Sequence, residues 1–242
     1  GGLIYVVGGR DGNACLASVE VYDYQVGTWK ALSPMNSKRS HLGVGVGEYG
    51  TLYAVGGYAG GSSRLSSVER YDVAADKWSA VAELTCRREA LGLGVIDGVL
   101  YAVGGRNEEG EQLRSVERYE PARGKWERVA PMSTCRVFPG VAVLGGLLYV
   151  LGGSDSMGNV LSSGERYDPL TNAWEAVPPM SSRRQALGLA VLGSMLYAIG
   201  GRDGANKPLR SVERLNIQSG TWEPMSPMKS ARHAFGVAVS EA

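Results

Sequence analysis

Short runs of apolar and aromatic residues, each ending at a pair of glycines, recur along the chain. In residues 52–57, the sequence Leu-Tyr-Ala-Val leads directly into Gly56 and Gly57. The run is too short for a helix, and its aromatic and β-branched residues favour a strand. Glycine adopts positive φ angles and lets a neighbouring backbone approach closely, so the pair predicts a tight turn after each strand.

The glycine pair occurs five times with a constant spacing of 48 residues. The five copies are Gly8-Gly9, Gly56-Gly57, Gly104-Gly105, Gly152-Gly153 and Gly200-Gly201. A fixed period of this length is typical of solenoids, propellers and repeat arrays.

Each period contains four short apolar or alternating runs separated by turn residues. In the first unit these runs cover residues 3–7, 18–23, 29–32 and 42–46. Four short strands joined by tight turns form one blade of a β-propeller, and a helical period is nowhere sustained. The sequence therefore predicts an all-β propeller of four-stranded antiparallel blades, five in number, in a single domain over residues 1–242.

The two ends of the sequence divide one unit between them. The chain starts at the second strand of a unit, and residues 235–239 have the sequence of an innermost strand. We therefore expect residues 235–239 to complete the first blade and close a ring of five, which would remove two open sheet edges. Two alternatives remain. One is a six-bladed ring that lacks a unit and exposes two apolar sheet faces; the other is an engineered chain.

Three residue types recur once in every unit and are interpreted as framework. They are the tryptophans at 29, 78, 126, 174 and 222, the arginines at 39, 88, 136, 184 and 232, and the glutamates at 20, 69, 117, 165 and 213. Tryptophan is expected to fill the wedge between neighbouring sheets, and arginine to pair with glutamate or bond backbone. A catalytic group is needed once, so a group repeated five times indicates architecture.

This arrangement of Gly-Gly, Tyr-Asp about fifteen residues later, Trp, Pro-Met and Arg resembles the kelch repeat. The sequence Ser-Val-Glu-Arg-Tyr, at 67–71 and 115–119, is similar to the repeats of kelch-like proteins that also carry BTB and BACK domains. The resemblance implies a protein-interaction module, the substrate-recognition domain of a cullin-3-type ubiquitin ligase adaptor. Cullin-3 would bind only through BTB and BACK regions, which this sequence does not contain. Such propellers usually have six blades, so five copies depart from the family pattern.

Charge and cysteine content limit the classes of partner and the cellular compartment that we expect for this protein. The net charge of +1 gives no case for a nucleic acid or an anionic membrane as partner, and no apolar run is long enough to span a bilayer. The sequence does not open with a signal-peptide pattern. Three cysteines without a C-x-x-C pair fit a reducing compartment, so we expect a cytoplasmic location. We also expect the isolated domain to be a monomer. Cys86 and Cys135 occupy equivalent positions and are either inert thiols or redox sensors.

Candidate binding residues lie in the turns where the units differ, because exposed loops are free to vary. One set follows each glycine pair: Arg10, Tyr58, Arg106, Ser154 and Arg202. A second set follows the framework arginines: Ser40, His41, Glu89, Phe138, Gln185 and His233. The kelch resemblance implies that both sets line the rim and mouth of the central channel and contact partner peptides.

The chemistry of these residues suits recognition of an acidic or phosphorylated peptide. Arg10, Arg106 and Arg202 can pair with carboxylates or phosphate, and Tyr58 and Phe138 can serve as aromatic anchors. The two histidines can donate or accept hydrogen bonds. The alternative is that these turn residues are simply solvated.

Catalysis, metals and cofactors are not expected. Some kelch propellers are copper oxidases, but that site needs a set of histidine, tyrosine and cysteine ligands, and only two histidines occur here. The sequence contains no nucleophile elbow or phosphate-binding loop. Two non-catalytic alternatives to the ligase adaptor remain: an actin-binding or scaffolding kelch domain, and an engineered propeller with no selected partner.

Overall fold

A computed structural model describes residues 3–239, and β-strands form almost all of the regular structure in that range. The first sheet has three strands, β1 (Leu3–Val7), β2 (Val19–Asp23) and β3 (Thr28–Leu32). In the next unit, β4 (Gly43–Val46) and β5 (Leu52–Val55) are followed by β6 (Tyr58–Gly60), β7 (Ser63–Arg64), β8 (Val68–Asp72) and β9 (Lys77–Val81). The second sheet has the strand order β4-β5-β8-β9, and β6 and β7 form a separate two-stranded hairpin. A short 3-10 turn, Glu48–Gly50, connects β4 to β5.

The remaining three sheets each have four strands in sequence order. The third contains β10 (Gly92–Ile96), β11 (Val99–Val103), β12 (Val116–Glu120) and β13 (Lys125–Val129). The fourth contains β14 (Gly140–Leu144), β15 (Leu147–Leu151), β16 (Gly164–Asp168) and β17 (Ala173–Val177). The fifth contains β18 (Gly188–Leu192), β19 (Met195–Ile199), β20 (Val212–Asn216) and β21 (Thr221–Met225).

Every neighbouring pair of strands within these sheets is antiparallel, and the order along each sheet follows the chain. This is the topology of a propeller blade, in which the first strand lies at the channel and the last at the outer edge. The prediction of an all-β propeller with five antiparallel blades is confirmed. No helix within residues 3–239 is long and apolar enough to cross a membrane.

The core lies between the blades, in four separate apolar clusters. The second strand of each inner blade is fully enclosed: Leu100, Ala102 and Val103 of β11 are 0% exposed. Aromatic residues join one blade to the next, since Tyr53 lies edge-on to Tyr119 with their ring centroids 6.2 Å apart. Burial of these faces is the main favourable contribution to holding the blades together.

Framework arginines and glutamates pair across each of the four blade interfaces, as the sequence predicts. The pairs are Arg39–Glu69, Arg88–Glu117, Arg136–Glu165 and Arg184–Glu213. In the first interface, Arg39 is 0% exposed and Nη1 donates to the carbonyl oxygens of Gly56 and Ser67 at 2.8 Å. The guanidinium therefore ties an interblade loop to the strands of the following blade.

The tryptophans act at the same interfaces. Trp78 and Trp126 are each 4% exposed, and each indole Nε1 donates at 3.0 Å to a backbone carbonyl oxygen of the preceding unit, that of Ser33 and of Ala82. Trp174 and Trp222 make the equivalent bond. The wedge-filling role predicted for tryptophan is thus confirmed in four of the five blades.

The expected closure of the ring by the C-terminal strand is wrong. Residues 235–239 form no strand, and the first sheet keeps only three strands. The segment packs instead on β18, where a Cβ on Gly188 would lie 2.4 Å from Val237. The Ala234 N–H donates to the Ala186 carbonyl oxygen, as at every earlier step, so packing on the preceding blade fixes where the segment lies. This segment and β1 both line a cavity of about 910 Å³, which also extends along the channel to His41 and Phe138.

Candidate partner-binding site at the channel mouth

The two sets of candidate residues meet at one end of the propeller. Residues after the glycine pairs form backbone bridges with residues after the framework arginines of the preceding unit. The bridged pairs are Ser40–Tyr58, Glu89–Arg106, Val137–Ser154 and Gln185–Arg202. Glycine makes this approach possible, because a Cβ on Gly57 (φ 101°) would lie 2.8 Å from the Ser40 carbonyl oxygen.

A ring of residues with positive φ forms the rim of the channel. The five members are His41, Ala90, Phe138, Ala186 and Ala234, with φ between 51° and 54°. Hydrogen bonds link them in sequence, since each N–H of the later four donates to the carbonyl oxygen of the preceding member at 2.8 or 2.9 Å. A left-handed backbone in non-glycine residues is strained, and these interblade bonds hold it in place. The rim is therefore a rigid frame for the side chains it carries.

Arg202 and His233 form one cluster at the mouth. Arg202 Nη2 lies 2.6 Å from His233 Nε2, and Nη1 donates to Asn206 Oδ1 at 2.9 Å. Burial and the positive charge of Arg202 lower the pKa of His233 below its ordinary value. The imidazole is consequently neutral at pH 7 and accepts a hydrogen bond from the guanidinium, which leaves the positive charge on Arg202.

A second cluster surrounds the carboxylate of Glu89. Arg64 Nε donates to Glu89 Oε1 at 2.8 Å, and His41 Nδ1 lies 3.5 Å from Oε2. Hydrogen bonds from His41 and Arg64 lower the pKa of Glu89 although burial opposes ionisation. The His41 ring also packs edge-on against Phe138, with centroids 5.1 Å apart. An ion pair and an aromatic pair therefore occupy adjoining parts of the rim.

The other candidate side chains differ in how accessible they are. Ser40 and Ser154 are 2% and 7% exposed, so their side chains offer little surface to a partner. The Tyr58 hydroxyl donates to the carbonyl oxygen of its own turn residue Gly61, so the ring folds back over the hairpin. Gln185 is half-buried, and its backbone pairs with Arg202.

Arg10 and Arg106 complete the basic residues of the mouth. Arg106 is half-buried, and its Nε has no acceptor among the described residues. Arg10 is exposed and lies at the wall of the large cavity beside β1. Together with Arg64 and Arg202 they place four guanidinium groups at the mouth, of which that of Arg64 pairs with Glu89.

The kelch motif matches residues 1–36, 39–85, 87–133, 135–181 and 183–229, which cover nearly the whole chain. This chain belongs to the kelch-repeat family. Among curated proteins, it is similar to Kelch-like ECH-associated protein 1A of Danio rerio, with 42% identity over 60 residues. That match covers 23% of this chain and only 10% of the relative. The solved structure of YjhT superimposes with a TM-score of 0.82 at 14% identity, over 95% of this chain and 85% of YjhT, which supports the fold alone.

Residues 3–239 of this kelch propeller contain no group of three or more His, Cys, Asp and Glu side chains placed to hold a metal ion. Two of the cysteines have polar neighbours: Cys15 Sγ lies 3.3 Å from Ser40 Oγ, and Arg88 Nη2 lies 3.3 Å from Cys86 Sγ.

Sequence reasoning missed Arg64. Its guanidinium joins the mouth because the hairpin β6–β7 folds back over the rim and brings it to Glu89, 25 residues further along the chain. The available signal was an arginine at the end of the Gly-Gly-Ser-Ser turn that follows Tyr58.

Proposed function

We propose that this kelch propeller is a protein-interaction module whose channel mouth binds an acidic or phosphorylated peptide. The observation that carries the proposal is the concentration of Arg10, Arg64, Arg106 and Arg202 around one rim. Guanidinium groups bind carboxylates and phosphates through charge-assisted, often bidentate hydrogen bonds. Phe138, half-buried at the rim, adds an apolar contact of the kind that anchors a peptide.

The finer proposal is that the module recognises substrates for a cullin-3-type ubiquitin ligase adaptor. Its support is the kelch repeat itself and the partial similarity to a Kelch-like ECH-associated protein. In this proposal the domain over residues 1–242 acts in the cytoplasm as a monomer, without a cofactor and without catalysis.

A peptide array tests the proposal directly. Arrays of Glu-rich, phosphoserine-containing and Lys-rich peptides are incubated with the purified protein, and the hits are then measured by fluorescence anisotropy. We expect Glu-rich or phosphoserine peptides to bind and Lys-rich peptides not to bind. The variant Arg10→Ala/Arg106→Ala/Arg202→Ala should weaken the hits by at least about tenfold, because each charge-assisted hydrogen bond contributes roughly 1.5–3 kcal/mol. Raising the salt concentration should weaken them further.

The matched control removes the same charge from the opposite end of the propeller. Lys77, Arg123 and Lys125 lie in or beside the turns between the third and fourth strands, away from the mouth. The variant Lys77→Ala/Arg123→Ala/Lys125→Ala should bind the peptides as the unchanged protein does. Equal weakening of peptide binding in both triple variants would show that the loss of affinity comes from the change in net charge alone. That result would refute a specific binding site at the mouth. Absence of any acidic hit would refute the acidic-peptide proposal.

A further inference from the structure

The rim of the channel carries small side chains at three of its five positions. The three are Ala90, Ala186 and Ala234, which share the left-handed backbone of His41 and Phe138, with φ between 51° and 54°. His41 and Phe138 show that this backbone accepts a large side chain, so the frame itself does not require alanine. The short side chains leave the entrance to the channel wide at these positions, and all five rim residues line the large cavity.

An apolar channel lies directly beneath this entrance. Its wall is formed by the first residues of the inner strands β4, β10, β14 and β18 and by Phe235 and Val237, and its volume is about 190 Å³. It continues into the cavity of about 910 Å³ that reaches the rim, because Leu42, Leu91 and Leu187 line both spaces. An apolar cavity of about 150 Å³ is large enough to bind benzene. The channel therefore has room for one large side chain.

Some apolar side chains of the wall are exposed inside the channel. Val44 of β4 is 39% exposed and Val237 is 36% exposed, and both line the channel and the cavity above it. Covering such aliphatic surface with another apolar group is favourable, because that surface is then removed from water. An apolar group of a partner is therefore the occupant that this wall favours.

Residues of the mouth also line the cavity, so its entrance is polar. Arg10, His41 and His233 lie there, whereas the inner strands below the rim contribute aliphatic side chains. The Arg10 side chain is exposed, so its guanidinium is accessible to a partner. A ligand that matches this arrangement carries an acidic group next to an apolar one.

We propose that the peptide bound at the mouth inserts a large apolar side chain, that of leucine or phenylalanine, past the rim alanines into the channel. The acidic residue beside it in the peptide pairs with Arg10 at the entrance. This inference rests on the proposed function and adds one feature to it, the apolar residue next to the acidic one. The inserted side chain covers Val44 and Val237. An acidic peptide without such a residue is held by the arginines alone and binds more weakly.

Short peptides that differ at one position test the inference. Each has the pattern Glu-Glu-X-Glu-Glu or Ser-Ser-X-Ser-Ser, where X is alanine, leucine or phenylalanine, and binding is measured by fluorescence anisotropy. With glutamate flanks, leucine or phenylalanine at X should bind about tenfold more tightly than alanine, because burial removes the apolar surface of the side chain from water. With serine flanks, we expect weak binding whatever residue stands at X.

A variant that narrows the entrance tests the path of the side chain. Ala186→Phe should leave the frame unaltered, because Phe138 already holds a phenyl ring on the same backbone, with φ 54° against 51° at Ala186. We expect this variant to lose the preference for leucine and phenylalanine at X and to keep its affinity for the alanine peptide.

The matched control is Ala75→Phe. Ala75 is exposed in the turn between β8 and β9, at the opposite end of the propeller. This variant should bind every peptide as the unchanged protein does.

A nitrile probe reports the surroundings of the inserted side chain in the unchanged protein, so the test does not depend on the folding of a variant. In Glu-Glu-X-Glu-Glu with 4-cyanophenylalanine at X, the infrared stretch of the nitrile should move on binding from its value in water toward its value in an apolar solvent. A stretch that keeps its aqueous value in the bound peptide would show that the side chain stays at the surface and would refute insertion.

The binding results separate this inference from the proposed function. Equal affinity for alanine and leucine at X, with glutamate flanks, contradicts insertion and leaves the acidic-peptide function standing. Absence of binding by every glutamate peptide refutes the proposed function, and this inference with it. Equal binding with glutamate and serine flanks, when X is phenylalanine, shows an apolar site that does not select acidic peptides and contradicts the proposal. A preference for leucine that survives in Ala186→Phe contradicts entry through the rim.

Discussion

Glu69→Gln should destabilise the protein strongly, whereas Glu20→Gln at the equivalent position of the first blade should not. Glu69 Oε1 accepts hydrogen bonds from Arg39 Nη2 at 2.8 Å and from the Ser37 N–H at 3.1 Å. Its Oε2 accepts from the backbone and side chain of Asn36 at 2.7 and 2.8 Å. An amide nitrogen cannot accept these bonds, and Arg39, which is fully buried, loses its charged partner.

The magnitude follows from the burial of the pair. Removing one member of a buried ion pair costs about 3–5 kcal/mol, since the other charge stays buried without compensation. Glutamine keeps the shape and one acceptor oxygen, so we expect a loss of about 3 kcal/mol in the free energy of unfolding. Glu20 is exposed, and its change to glutamine should stay within about 0.5 kcal/mol.

Urea denaturation followed by circular dichroism measures both variants against the unchanged protein. The same chemical change at the same repeat position isolates the effect of the interblade environment. Equal losses in the two variants would show that Glu20 is as enclosed as Glu69 and would refute this reasoning. A loss below about 1 kcal/mol at Glu69 would show that the buried pair contributes no more than an exposed one.

Three further predictions concern pH and packing. Hydrogen bonds lower the pKa of Glu69 although burial opposes ionisation. The contribution of the Glu69 carboxylate to stability is therefore fully present above its ordinary pKa of 4.5 and is lost as the pH falls through the lowered value. The urea midpoint of the unchanged protein should fall as the pH drops below 4.5, and it should fall less steeply in Glu69→Gln. Gly104→Ala should lower the free energy of unfolding by more than about 2 kcal/mol, because the new Cβ would lie 2.4 Å from a carbonyl oxygen. Gly110→Ala, at a position with positive φ but open space around it, should lower it by only about 1 kcal/mol. Thermal unfolding of the two variants measures the difference. Trp126→Phe should lower the urea midpoint and leave the acrylamide quenching of tryptophan fluorescence nearly unchanged. Trp29→Phe should leave the urea midpoint nearly unchanged and reduce the quenching, because Trp29 is exposed.

The local sequence pattern was sufficient to predict the blades. A strand that ends in Gly-Gly every 48 residues predicts five units of four runs, and the strands lie where those runs are, except at residues 235–239. The predicted framework pairs also form, in four of five cases, because arginine, glutamate and tryptophan keep fixed separations within a repeat that folds the same way each time. Both candidate sets lie at one rim because every repeat places them at the same two positions. The kelch resemblance was needed to predict that this rim is the mouth of the central channel.

The repeat pattern did not predict contacts between residues that are far apart along the chain. Arg64 reaches Glu89 only because a hairpin folds over the rim, and no periodic signal marks that fold. The burial of Ser40 and Ser154, which the sequence placed among exposed turns, likewise depends on the neighbouring blade.

The sequence by itself determined the strand pattern, the number of blades and the kelch framework, because these depend on local periodicity and on residues close along the chain. Only the tertiary structure decided whether the ring closes. Closure depends on the rotation between successive blades, which side-chain packing sets at each interface and which accumulates around the ring. After five such steps residues 235–239 pack on β18 and do not pair with β1, and Glu20, Trp29 and Arg232 stay exposed or partly exposed at the opening between the first and fifth blades.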